Sequence, residues 1–295
     1  MRPFTYQAPT SLDKAVTLLV SRGGQARPLA GGTDLLVQMR HGLLAPDVVV
    51  DLKQIPELNQ LWFDVHTGLT VGAAVSCARL CEQAVVRERY PGLVDAASII
   101  GGPAIRERAT LGGNLCNAAP SGDTIPAMMV LGATCNLAGP DGARTLPVET
   151  FCTAPGQTVL APGELLVSIQ FPAPQPRSGA RYLRFIPRGE MDIAVAGAGA
   201  WLRLDEEQSH IAEARVALAA VAPTPLLAVD AADALHGQPP TEAAFARAAQ
   251  LAQETARPIT DARGTAAQRH HLVGVLVKRA LRGAAQRAKG AAIDG

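Results

Sequence analysis

Several things a reader looks for first are missing from this chain. No run of Lys or Arg forms a basic stripe, and 27 basic residues against 26 acidic ones leave a formal charge of +1. A nucleic-acid-binding surface therefore has no electrostatic footprint here. The first fifteen residues, MRPFTYQAPTSLDKA, contain no apolar stretch of signal-peptide length. The longest uncharged run, Thr124 to Pro140, is interrupted by Pro126, Gly132, Asn136 and Gly139, so no membrane span is expected. The five cysteines, Cys77, Cys81, Cys116, Cys135 and Cys152, form no C-x-x-C pair of the kind zinc or iron–sulfur ligation uses. They read as small buried residues in a reducing compartment, and no metal site is expected. Also absent are G-x-x-x-x-G-K-[ST], H-E-x-x-H, G-x-S-x-G and a full dinucleotide fingerprint. The nearest approach to that fingerprint, Gly197-Ala198-Gly199-Ala200, lacks the third glycine and runs on into WLRLD. It reads as a strand of small residues beneath a close-packed neighbour.

With 48% hydrophobic and 18% charged residues, the chain is globular rather than disordered. Its length admits one large domain or two modest ones. A helix capped by Ser11 or Thr10 is expected through Val20, ended by Gly23-Gly24. A strand over Arg27 to Ala30 runs into Gly31-Gly32-Thr33-Asp34, followed by a short helix over Leu35 to Arg40 and a strand over Asp47 to Leu52. Strands follow near Leu61 to Val65 and Leu69 to Val71. Helices are expected from Ser76 through Glu88, over Tyr90 to Ile100 and from Thr124 to Gly132. Further strands fall near Thr134 to Ala138, Thr145 to Pro147 and Leu165 to Phe171. The segment from Pro172 to Gly179, PAPQPRSG, holds three prolines in eight residues and reads as a linker. Beyond it come three antiparallel strands, Ala180 to Ile186, Ile193 to Leu204 and Ile211 to Ala220. Helical segments then cover Leu226 to Leu235, Thr241 to Ala256 and Ala266 to Ala288. The last carries Arg269, Lys278, Arg279, Arg282 and Arg287, expected on a solvated face. The domains implied are 1–172 (subdomains of about 1–57 and 58–172), a linker at 173–179, and an α+β domain at 180–295.

Two stretches carry chemistry. Gly31-Gly32 stands between a strand and a helix, where backbone N–H groups can approach an anion without a Cβ in the way. Thr33 can donate to a phosphate oxygen, and Asp34 can cap the helix that follows. The second stretch, Arg106 to Pro126, reads as a glycine turn through Gly112-Gly113-Asn114 with an acid, Asp123, some ten residues later. His270 and His271 are adjacent on a helix, diverge by about 100° and cannot chelate together; they read as surface residues.

At this point the residues match a family. Leu29-Ala30-Gly31-Gly32-Thr33-Asp34-Leu35 resembles the A-G-G-[HT]-[SD]-L loop of the medium, FAD-binding subunits of molybdenum hydroxylases, the xanthine dehydrogenase and carbon monoxide dehydrogenase type. Ala109-Thr110-Leu111-Gly112-Gly113-Asn114 resembles their A-T-[IL]-G-G-N loop, and Pro120-Ser121-Gly122-Asp123 stands where they have P-x-x-D. Pro162 to Ile169 resembles their P-G-E segment, and Arg188 to Ala194 their R-x-x-x-D-[IF]-A segment. Glu107 departs from the family's usual neutral amide and is expected at the surface. The cysteine-rich insertion of the 4-hydroxybenzoyl-coenzyme A reductase branch is absent between Leu111 and Pro126.

The resemblance implies an α+β chain: a two-subdomain FAD-binding fold of the vanillyl-alcohol oxidase (PCMH) type, plus a C-terminal α+β lobe with a three-stranded antiparallel sheet and helices. It implies that Leu29, Ala30, Gly31, Gly32, Thr33, Asp34, Leu35, Gly112 and Gly113 cradle the pyrophosphate of FAD. Thr110 and Asn114 would donate to it or to the ribityl chain, and Asp123 would accept from a sugar or ribityl hydroxyl. Leu166 and Arg184 match positions near the ring system or the adenine side, and Ile100 a position at the adenine region. The partners implied are a large subunit with the molybdenum cofactor and a small subunit with two [2Fe–2S] clusters, in a cytoplasmic dimer of heterotrimers. The large subunit would oxidise the organic substrate, the clusters relay electrons, and FAD pass them to NAD+, oxygen or quinone. Two other readings stand beside this one: a self-sufficient flavin reductase or oxidase of the same fold, and a non-catalytic scaffold that has lost its flavin.

Overall fold

The computed structural model describes residues 1–189 and 191–291. Glu190, within the Arg188 to Ala194 segment, and residues 292–295 of the C-terminal lobe lie outside the described residues. The chain forms three sheet-centred layers with three main cores.

The first layer runs β1 (Thr5–Gln7), α1 (Leu12–Arg22), β2 (Ala26–Leu29), α2 (Leu35–Arg40) and β3 (Val48–Asp51), with β3 between β1 and β2 and both pairings parallel. Parallel neighbours need crossover connections, which α1 and α2 supply. The β3 run Val48-Val49-Val50-Asp51 is buried throughout, as expected for a parallel strand covered on both faces. Gly23 ends α1 at a φ of 52° and donates its N–H to the Leu19 carbonyl, so the glycine pair stops the helix where expected.

The second layer begins with β4 (Leu61–Asp64) and β5 (Gly68–Gly72). Six short helices follow: α3 (Cys77–Glu82), α4 (Ala84–Arg89), α5 (Pro91–Ala97), α6 (Pro103–Arg106), α7 (Leu111–Asn117) and α8 (Thr124–Val130). It closes with β6 (Thr134–Gly139), β7 (Gly142–Pro147), β8 (Cys152–Ala154), β9 (Gln157–Thr158) and β10 (Leu165–Phe171). The main sheet has the order β4-β5-β10-β6-β7, antiparallel at every pairing. The single helix expected from Ser76 to Glu88 is two helices. Gln83 sits in extended backbone between them, and the Arg87 guanidinium takes the carbonyls of Cys81 and Glu82 at 3.0 and 2.7 Å. The expected turn at Gly112-Gly113-Asn114 is a helix, α7. Two glycines cost a helix roughly 2 kcal/mol in propensity relative to alanine, but packing overrides this. A Cβ on Gly112 would stand 2.6 Å from the Ala73 carbonyl oxygen, so only glycine lets α7 settle there.

The third layer is β11 (Ser178–Phe185), β12 (Ala196–Leu204), β13 (Ile211–Ala219), β14 (Leu226–Leu227), α9 (Val229–Asp233), α10 (Glu242–Thr255) and α11 (Ala266–Ala288). Its sheet has four strands in sequence order, not three. The fourth is a two-residue strand, with Leu226 opposite Leu218 and Leu227 opposite Ala217. It replaces the start of the helix expected from Leu226 to Leu235, since a strand this short leaves no periodicity to read and the residues before Pro223 and Pro225 are disfavoured in helical backbone. The Gly197–Ala200 stretch is the middle of β12, and a Cβ on Gly199 would lie 3.0 Å from the Pro126 carbonyl oxygen of α8.

The polar face expected for α11 holds only in part. Arg269 is buried; it donates to the carbonyls of Val195 and Ala220, both at 2.8 Å, and to Asp261 at 2.7 Å. Arg287 reaches from the third layer to Asp95 on α5 at 2.6 and 2.9 Å, and Asp95 also accepts from Arg181 at 3.2 Å and from the Tyr182 N–H at 3.1 Å. Asp95 therefore faces two guanidinium groups between the second and third layers, all three side chains about nine-tenths buried. Removing one member of a buried ionic cluster leaves the others uncompensated, at about 3–5 kcal/mol. Asp95→Ala should lower the unfolding free energy by that amount in a denaturant titration, whereas Glu242→Ala, which frees only the exposed Arg282 and Lys278, should cost under about 1 kcal/mol.

Candidate functional site

A cavity of about 840 Å3 opens between the first and second layers, inside the roughly 300–1,000 Å3 range of small-molecule sites. One wall is the exit of β2, Leu29 through Leu35. The facing wall is the start of α7, with Thr110, Gly112, Gly113 and Asn114, and Ile100 and Leu166 also line the cavity. Two of the residues singled out in the sequence are not on the wall. Asp123 and Arg184 instead pair with each other: Arg184 donates to Asp123 at 2.6 Å, and the Tyr182 hydroxyl to the other carboxylate oxygen at 2.8 Å. Burial pushes the Asp123 carboxyl upward against the pull of Arg184 and Tyr182. The cluster lies directly behind the wall, since Arg184 also donates to the Ile99 carbonyl at 2.9 Å.

The β2 exit presents a run of unpaired backbone donors. Among the described residues, the N–H groups of 31–35 find no acceptor. Gly32 adopts a φ of 84°, the left-handed region where glycine is at ease. Consecutive free N–H groups in such a turn form a concave anion site. The capping role expected for Asp34 is not realised: its side chain makes no cap bond at the start of α2. Its carboxyl faces the cavity, and crowding by the walls raises it above the ordinary carboxylate range.

The α7 wall is organised differently. Thr110 caps α7 by accepting the Gly113 N–H at 2.8 Å. Asn114 accepts from the Thr124 hydroxyl at 2.7 Å through Oδ1, which leaves its amide NH2 as the group to donate into the cavity. The glycines divide by role. A Cβ on Gly31 would stand 1.9 Å from the Arg108 carbonyl oxygen, so this glycine and Gly112 permit close backbone contact. A Cβ on Gly113 would meet only the Thr110 hydroxyl, at 3.0 Å, so a side chain there would project into the cavity.

Other wall residues carried no site role in the sequence reading. Gln38 on α2 donates to Asn117 on α7 at 3.2 Å and ties the two walls together. Asn117 follows Asn114 by three positions on one helix, a spacing that could have suggested it. The stretch from Gly156 to Leu165 closes another side and is fixed by Glu164, which accepts from the Ala161 N–H and from Arg144, both at 2.7 Å. The Arg144 hydrogen bond holds the Glu164 carboxyl below its ordinary range. Cys116, expected in the core, is exposed and lines the cavity; Glu107 is exposed as expected.

A diphosphate diester suits this donor set: bare N–H groups on one wall, an oriented amide on the other, and apolar residues beyond. The family model described as "FAD binding domain in molybdopterin dehydrogenase" matches residues 2–174, and "CO dehydrogenase flavoprotein C-terminal domain" matches 181–284. The carbon monoxide dehydrogenase medium chain of Afipia carboxidovorans is 34% identical over 97% of this chain and 98% of its own. The xanthine dehydrogenase FAD-binding subunit of Escherichia coli O157:H7 is 32% identical over 94% of each. A solved carbon monoxide dehydrogenase from Hydrogenophaga pseudoflava, which lacks the Mo-pyranopterin moiety, superposes with a TM-score of 0.93 at 35% identity, over 97% of this chain and 99% of that one. The chain belongs to the FAD-binding medium subunits of the molybdenum hydroxylase family. It is an oxidoreductase component, and FAD is its cofactor. No helix among the described residues is long and apolar enough to cross a membrane.

Two outcomes follow from the walls. Overpacking a fitted site costs about 1–3 kcal/mol, so Gly113→Val should weaken FAD binding roughly ten- to hundred-fold in a fluorescence titration. The second concerns acid. Burial raises the Asp51 carboxyl at the end of β3, but hydrogen bonds from Lys53 and Tyr6 outweigh burial and hold it below the usual range. Its contribution to stability is therefore complete above the unfolded value of about 3.9 and is lost as pH falls through the lower folded value. Asp51→Asn should remove that component, so the loss of stability on acidifying below about pH 4 becomes shallower.

Proposed function

We propose that the chain is the electron-transfer subunit of a heterotrimeric molybdenum hydroxylase, receiving electrons from the [2Fe–2S] clusters of a small partner and delivering them to an external acceptor. The observation that carries this reading is the cavity itself, with unpaired N–H groups of 31–35 on one wall and the Asn114 amide on the other. Bound FAD supplies the chemistry, exchanging electrons singly or in pairs. The chain supplies placement. Residues 31–35 hold the diphosphate on bare backbone, with Thr33 and Asn114 donating beside it, and Gly113, its N–H taken by Thr110, leaves the space open. Leu29, Ala30, Thr110, Gly112, Ile100 and Leu166 shape the rest of the site, and Asp123 with Arg184 holds the Ile99–Ile100 wall from behind.

Under the same proposal, residues 1–172 form the FAD-binding domain, joined by 173–179 to a C-terminal domain at 180–295. The complex is a cytoplasmic dimer of heterotrimers whose large subunit carries the molybdenum cofactor and the substrate pocket. The relatives' names support this reading, being a medium chain and an FAD-binding subunit.

Purification of the chain with its neighbours tests the proposal. The expected result is one particle containing flavin, iron and molybdenum, in which organic substrate bleaches the flavin only when all three subunits are present. A chain that purifies alone and reduces its own flavin with an organic substrate would establish a self-sufficient enzyme instead.

A further inference from the structure

The peptide that opens the anion-binding turn is held by a residue outside the cavity. The ladder between β2 and β3 ends at the pairing of Leu29 with Asp51, and Leu52 donates its N–H to the Leu29 carbonyl at 2.9 Å. The next carbonyl, that of Ala30, lies beyond the ladder. It accepts from the Lys53 ammonium at 3.2 Å. That ammonium also stands 2.6 Å from Asp51 Oδ1, which accepts the Lys53 backbone N–H at 3.0 Å as well. Asp51 is buried, and its second oxygen accepts from the Tyr6 hydroxyl at the opposite edge of the sheet, on β1. Lys53 is thus gripped at its backbone and at its head by one carboxylate, which is itself anchored from the far strand.

A trans peptide is planar, and its C=O and N–H point in opposite directions. Fixing the Ala30 oxygen toward Lys53 therefore fixes the Gly31 hydrogen away from it. Gly31 lines the cavity, and its N–H has no acceptor among the described residues. The turn has little freedom to shift sideways, because the Gly31 α-carbon already lies against the Arg108 carbonyl.

We propose that Lys53 is a positioning residue of the flavin site: its hold on the Ala30 carbonyl aims the Gly31 N–H at the FAD diphosphate. The inference rests on the reading of the cavity as the FAD site. Lys53 acts through the Ala30–Gly31 peptide, and Asp51 and Tyr6 serve to hold Lys53.

The test is FAD binding by the full chain, followed by flavin fluorescence as dissociation constant and release rate, in Lys53→Met, Lys53→Arg and Tyr6→Phe. A misaimed donor to a charged diphosphate should raise the dissociation constant of Lys53→Met about tenfold and speed release. Lys53→Arg, which keeps a donor within reach of the Ala30 carbonyl, should recover most of the loss. Tyr6→Phe removes one bond to Asp51 but leaves the Lys53 contacts to Asp51 and Ala30 in place, and should weaken FAD binding clearly less than Lys53→Met does. Comparing melting temperatures of the flavin-free proteins separates aim from stability, since both Lys53→Met and Tyr6→Phe weaken the Asp51 cluster. Binding by Lys53→Met that matches the wild type would overturn the proposal, as would an equal loss in Tyr6→Phe. Failure of the wild-type chain itself to bind FAD would remove the underlying reading of the cavity, and this is seen before any variant is made.

Discussion

The site depends on a stretch of main chain that leaves its hydrogen-bond donors unpaired. Where β2 ends, residues 31–35 turn toward α2 with no acceptor for their N–H groups among the described residues. These residues are half-buried or exposed along the cavity, so an anionic ligand finds the donors free to bind. Much of the surrounding structure keeps those donors in place. Gly31 abuts the Arg108 carbonyl, and on the opposite wall the Thr110 cap and the Thr124 hydroxyl set the start of α7 and the direction of the Asn114 amide. Gln38 and Asn117 join the two walls at the far end of α2 and α7.

The third layer contributes from behind. Two of its links to the second layer are ionic clusters of similar burial. Asp95 gathers Arg181 and Arg287, joining the second-layer helix α5 to both the first strand and the last helix of the C-terminal lobe. Asp123, Tyr182 and Arg184 form the other, and its connection to the Ile99 carbonyl carries the lobe's grip to the cavity wall. Main-chain contact adds to both: the Ala220 N–H donates to the Pro120 carbonyl at 2.7 Å, just ahead of α8. The C-terminal lobe acts as a brace for the segment from Pro120 to Val130, and through Thr124 for Asn114.

How far the sequence announced this varies with the range of the forces involved. The turn at Gly31-Gly32 was legible because strand, glycine pair and helix are contiguous, and α2 occupies Leu35–Arg40 as its pattern indicates. Gly112-Gly113 was misread as a turn because local propensity disfavours glycine in helices, while the decisive contact, Ala73, lies in another element. Asp123 and Arg184 were expected to contact the cofactor directly, but they pair with each other behind the cavity wall, a long-range contact that no local pattern reveals. Arg269 and Arg287 sit on a helix whose charges look solvated; only the fold brings Asp261 to one and Asp95 to the other. The Pro162–Leu165 part of the third wall stood out as a motif, but its place on the cavity and the Gln38–Asn117 bridge come from non-local packing, which spacing along the chain does not encode.

The central claim is that one cofactor is held by two separated stretches of backbone at once. Amide hydrogen exchange of the full chain, with and without FAD, measures this at the donors concerned. The account predicts that FAD slows exchange at residues 31–35 and at the start of α7 together, with one shared dependence on FAD concentration. Protection confined to one wall, or centred away from both, would contradict it.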